Sequence, residues 1–254
     1  MKKGLKIFGI TCLFLLAAAY FAGSTMMVQQ QQSQTVCQKV RIHIVDSVAA
    51  QLVLQQDIET FLKSNRLSFV GEKLYQINLN QVEQLITNEQ GIKKCEVYTQ
   101  PNGILTLSIA QRSPLLRLET PRGGYYLDDS GTLFPALPRR TAYVPVVSGN
   151  IPMHQPEWMT QLYNFGLYIR GSRFWNAQIE QLHVYDLNNI EIIQRAGTQT
   201  TVLMGSLDRF EYKLQKLYTF YRTVAASEGW ELYDSIDLRF NDQIVCKKLY
   251  HIVF

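Results

Sequence analysis

No acidic residue occurs before Asp46, and between Lys6 and Lys39 there is no basic one either. The four cysteines, at 12, 37, 95 and 246, form no C-x-x-C pair and have no histidine at ligand spacing, which argues against a bound metal. The linear signatures of catalysis are missing as well: no G-x-S-x-G, P-loop, S-x-x-K, H-E-x-x-H or dinucleotide fingerprint. His43, His154, His183 and His251 are isolated in sequence and read as strand or surface residues. Past the first six residues Lys and Arg are interspersed with Asp and Glu, so no basic stripe tracks phosphates and nucleic acid is not an expected partner. These absences predict a binding protein without cofactor or metal.

What is there begins with an apolar run. Ile7 to Val28 carry no charge, roughly the 20 residues that cross a bilayer as helix. Lys2, Lys3 and Lys6 supply three units of the net charge of +4 and precede the run, which sets residues 1–6 in the cytoplasm and the rest outside. A cleavable signal peptide is the rival, with Ala17-Ala18-Ala19 as its cleavage site. Tyr20, Phe21, Met26, Met27 and Val28 carry the apolar character past that site, as an uncleaved anchor does. The polar stretch QQQQSQT then marks a linker over 29–36. With Cys12 in lipid, at most one disulfide could join two of Cys37, Cys95 and Cys246, and each reads as a small buried hydrophobe.

The chain is 46% hydrophobic overall and globular in composition. Val40, Ile42 and Ile44 alternate with Arg41 and His43 as a half-buried strand. Helices are expected at Asp57 to Ser64 and over QVEQLITNEQ, the second opened by Asn80 with Glu83 three residues on. Strands follow at Ile92 to Thr99 and Ile104 to Arg112, joined by the turn Gln100-Pro101-Asn102-Gly103. Residues 37–112 thus form a strand, helix, helix, strand, strand module, and 113–254 a second, sheet-rich α+β domain.

In that second part YYLDDSGTLFP contains Asp129-Ser130-Gly131, the form of an aspartic-protease carboxylate. Such an enzyme needs two carboxylates sharing a proton, and no second D-(S/T)-G exists, so the stretch reads as a hairpin turn. Further strands are expected at Ile179 to Val184, Asn189 to Gln194 and Thr200 to Met204, and helical spacing within Pro152 to Arg170. Leu207, Phe210, Leu214, Leu217, Tyr221 and Val224 mark a helix capped by Ser206 and ended near Gly229, packing on a sheet rather than as a coiled coil. Gln243 to Phe254 reads as a last strand, with an edge open to another chain if it lies at the sheet's border.

The β-α-α-β-β module resembles a POTRA domain. Gln111-Arg112-Ser113-Pro114 with Arg117, then YYLDDSGTLFP, Val144-Pro145-Val146-Val147-Ser148-Gly149 and Ile236-Asp237-Leu238-Arg239-Phe240 resemble, in order, four motifs of the FtsQ/DivIB cell-division family. The resemblance implies an inner-membrane, single-pass, non-catalytic scaffold at the division septum. Its implied partners are FtsB and FtsL, and upstream division proteins through the POTRA-like domain. It also implies that FtsB adds a strand beside the last one, placing the site at Arg239, Phe240, Asp242, Ile244, Cys246, Lys248 and Tyr250. Lys248 stands where the family often carries a Trp. The alternatives are a POTRA-bearing transport or secretion accessory protein and a periplasmic hydrolase.

Overall fold

The computed structural model describes residues 19–20, 35–45, 52–138, 140–195, 200–229 and 232–249. Most of the expected membrane span and linker therefore lies outside the described residues. Among these, no helix is long and apolar enough to cross a membrane. The rest divides into two compact units, one ending at Gln111 and one taking up at Arg112.

The first unit holds β1 (Lys39–Ile44), α1 (Gln55–Ser64), a 3-10 turn (Leu74–Gln76), α2 (Leu79–Thr87), β2 (Ile92–Thr99) and β3 (Ile104–Gln111). Ile58 and Leu62 on α1, and Val82 and Ile86 on α2, are buried at the four-residue spacing that puts them on one helix face. They share the core with Leu105, Leu107 and Ile109 of β3, the central strand in the order β1-β3-β2. The turn before β3 forms as its residues dictate: Gly103 donates its N–H to the Gln100 carbonyl, 3.0 Å, at φ +80°.

Both helices start two residues earlier than the sequence suggested. Asp57 sits in the first turn of α1, where its carboxylate accepts the Leu54 N–H at 2.7 Å. Asn78, not Asn80, caps α2 by accepting the Gln81 N–H at 3.1 Å. Glu83 consequently does not reach back to the cap. Its carboxylate accepts the Val97 N–H of β2 at 2.7 Å, while the Thr87 hydroxyl accepts that of Cys95 at 3.2 Å. Two donors on the outer edge of β2 are thus occupied by α2 side chains.

The second unit is a nine-stranded mixed sheet in the order β12-β11-β10-β9-β8-β7-β4-β5-β6. Its strands are β4 (Pro114–Thr120), β5 (Gly123–Asp128), β6 (Leu133–Pro135), β7 (Val146–Gly149), β8 (Ile179–Asp186), β9 (Asn189–Gln194), β10 (Thr201–Gly205), β11 (Tyr233–Asp237) and β12 (Val245–Lys248). Helices α3 (Pro156–Gly171), α4 (Arg173–Gln178) and α5 (Phe210–Phe220) bury Trp158, Leu162, Phe165, Trp175, Leu214 and Leu217 in one cluster with Leu116, Val147, Leu182, Ile192, Val202 and Ile236 of the sheet. The stripe from Leu207 to Val224 therefore packs on the sheet, as expected. Burial of sidechains this large, at about 1.5–3 kcal/mol each, dominates the stability of the unit.

The motif residues have structural work in this unit. Asp128 is fully buried and accepts the N–H groups of Ser130 and Thr132, 2.9 and 2.8 Å, the Ser130 hydroxyl, 2.7 Å, and Arg112 Nη1, 2.7 Å. YYLDDSGTLFP is a hairpin corner, and Asp128 rather than Asp129 organises it. Gly149, at φ +88°, passes so close to β8 that a Cβ there would lie 2.3 Å from the Val184 carbonyl oxygen.

Two expectations for this unit need correction. Ser206 does not cap α5, which starts after Arg209 in the left-handed conformation. Instead Ser206 accepts Lys213 Nζ through its backbone carbonyl at 2.8 Å. The last strand begins at Val245, not Gln243, because the Gln243 carbonyl accepts Lys216 Nζ and is drawn towards α5.

Candidate functional site

β11 pairs in parallel with β10 through Val202 opposite Ile236, and antiparallel with β12 through Ile236 opposite Cys246. β12 pairs with no other described strand, so among the described residues it borders the sheet. The opposite border, β6, is three residues long and ends in Pro135, which has no N–H to offer. β12 is the border better fitted to receive a further strand.

The turn from Leu238 to Ile244 is held from the helix side. Lys216 Nζ donates to the carbonyls of Leu238 and Gln243, each 3.3 Å, and to that of Phe240. Tyr212 donates its hydroxyl to the Asn241 carbonyl at 2.7 Å, and Arg209 Nη2 to Asn241 Oδ1 at 2.6 Å. Burial pulls the Lys216 ammonium below its usual range, with the neighbouring Arg209 adding to the fall and the Asp242 charge opposing it.

Arg239 is fixed by Asp237, which accepts its Nε at 2.9 Å and its Nη2 at 2.6 Å. Burial of Asp237 pushes its carboxyl upwards, but the hydrogen bonds from the Arg239 side chain and backbone outweigh that and hold it below the ordinary range. Gly205 makes room for the arginine, since a Cβ there would meet Arg239 Cγ at 2.8 Å. Phe240 is left 45% exposed on this turn.

The other expected site residues separate by face. Asp242 is exposed, accepting the Tyr212 hydroxyl at 3.4 Å. Ile244 and Cys246 turn towards the core, and burial pushes the Cys246 thiol up. Both remain half-buried rather than fully enclosed. Lys248 is exposed opposite Tyr233, and Tyr250 lies outside the described residues. The Lys216 clamp and the Gly205 gap escaped the sequence reading. The signal for the first was a lysine pair, Lys213 and Lys216, inside an otherwise apolar stripe.

Ser148 and His183 also meet, the hydroxyl 2.9 Å from Nδ1, on the sheet face away from the helices. The same hydroxyl accepts Gln181 Nε2 at 2.7 Å, while Glu191, opposite His183 on β9, accepts the Tyr185 hydroxyl at 3.2 Å. The three side chains are not aligned as a relay.

The described residues form a β-α-α-β-β unit followed by a mixed-sheet domain, a two-domain α+β protein. A family model described as a POTRA-like domain matches residues 35–110, and one described as FtsQ/DivIB, C-terminal related, matches residues 113–247. The chain belongs to the FtsQ/DivIB family and so to the proteins of cell division. It is similar to the cell division protein FtsQ of Salinibacter ruber, 29% identical over 180 residues, which cover 65% of this chain and 68% of that protein.

Proposed function

We propose that the chain is a non-catalytic scaffold of the division machinery, anchored by residues 7–28 in the inner membrane, with 37–112 and 113–254 as its two exported domains at the septum. It joins early to late division proteins and holds FtsB, and with it FtsL, through β12. The observation that carries this reading is β12 as the border of the described sheet, beside an exposed Phe240 and an Arg239 locked in one orientation. A strand laid along β12 gains main-chain hydrogen bonds, and an adjoining segment meets the two anchors. Upstream division proteins engage the POTRA-like domain.

Titration of the FtsB periplasmic segment into the detergent-solubilised full chain tests the site. Truncating an aromatic or arginine anchor typically costs about 2 kcal/mol, roughly thirtyfold in affinity. Phe240→Ala should weaken binding by that order with the melting temperature unchanged, because the ring is exposed. Arg239→Ala should weaken it similarly and lower the melting temperature slightly through the loss of its Asp237 pair. Wild-type affinity in both variants places the site elsewhere.

A further inference from the structure

The first unit has two sheet borders, and they are unequal. At β2 the outward N–H groups of Cys95 and Val97 are filled by Thr87 and Glu83. At β1 the donation from Lys39 N to Gly103 O, 3.5 Å, and from Val45 N to Ile109 O, 2.9 Å, shows that the odd-numbered residues turn their peptide groups towards β3. By the two-residue alternation of a strand, the peptide groups of Val40, Ile42 and Ile44 face outwards, and no other described strand pairs there. Just upstream that side is closed, since Cys37 N donates to Glu72 O at 2.7 Å and Gly71 N to Cys37 O at 2.8 Å. The open length is Lys39–Ile44.

The side chains along that length differ by face. Lys39, Arg41 and His43 are exposed and make no hydrogen bond or ion pair with described residues, so one face of the border is basic at every second position. Val40, Ile42 and Ile44 on the other face are half-buried although they are β-branched and lie over the helices' side of the sheet. They lack the neighbour that a further strand would provide.

We propose that β1 is a docking edge for an extended acidic segment of a partner protein, one in which Asp or Glu alternates with apolar residues. Added to β1, such a strand sets its carboxylates beside Lys39, Arg41 and His43 and its apolar residues beside Val40, Ile42 and Ile44, while the backbones complete the ladder. Charges at sheet borders also serve to repel strands. The same positive charges that repel a cationic strand attract an anionic one.

A fluorescein-labelled seven-residue peptide alternating valine and glutamate is titrated into the full chain in detergent at low salt, with amide exchange followed in parallel. Binding is expected, with slowed exchange at Val40, Ile42 and Ile44. Arg41→Glu, at an exposed position that leaves the fold intact, should weaken it at least tenfold. Replacing the glutamates by lysine, or N-methylating every second peptide bond of the probe, should abolish it, and Phe240→Ala should leave it unchanged. Equal binding of the lysine peptide, wild-type affinity in Arg41→Glu, or protection appearing at β12 instead of β1 overturns the proposal.

Discussion

Asp128 concentrates four hydrogen bonds on one buried carboxylate, and its titration follows from them. Burial raises its pKa, but the Ser130 hydroxyl, the Thr132 and Ser130 amides and Arg112 together hold it below the ordinary value. A carboxyl depressed in the folded state stabilises the fold above its unfolded pKa, about 3.9, and loses that contribution as pH falls through the folded value. Asp237 behaves in the same way. Denaturant titrations should therefore show stability level above about pH 5 and declining below about pH 4. Asp128→Ala should lower stability near neutrality by about 3 kcal/mol, because it strands Arg112 and two amides, and should flatten part of the acid decline. An acid profile unchanged by the substitution would mean that another group governs it.

At the scale of elements, the contact between α5 and the turn before β12 decides how well the candidate site is ordered. Lys216→Met keeps the aliphatic stem but removes the donor shared by three carbonyls. Amide exchange across Leu238 to Ile244 is expected to accelerate at least tenfold, with β8 and β9 unaffected. An equal acceleration throughout the sheet would show a global rather than a local role. The elements themselves were largely legible: alternation at Val40 to Ile44 and three- and four-residue spacing from Leu207 to Val224 report which face is buried. The second helix start slipped because Asn78 and Asn80 are equally good caps by composition, and packing of α2 on β2 favours the earlier one. Strand order was not legible. Alternation says which face a residue takes but not which strand lies beside it, so the placing of β7 between β4 and β8 needed the structure. For the same reason the sequence did not show that Ile244 and Cys246 lean half-buried against the core.

For the whole molecule, the decisive expectation is the anchor. The full chain should remain in the membrane fraction under alkaline carbonate and retain Met1 or Lys2 at its N-terminus; a soluble form beginning near Tyr20 would show cleavage instead. The two borders of the large sheet bear on a question of number. β6 is short and ends in Pro135, whereas β12 borders no other described strand, so lengthening of the sheet is favoured at the β12 end. Once a strand joins β12, the new border belongs to the incoming chain, and whether anything joins next is dictated by that chain's residues. On the proposed reading this sheet has a capacity of one incoming strand, so a second partner must dock on the other unit or on the first partner.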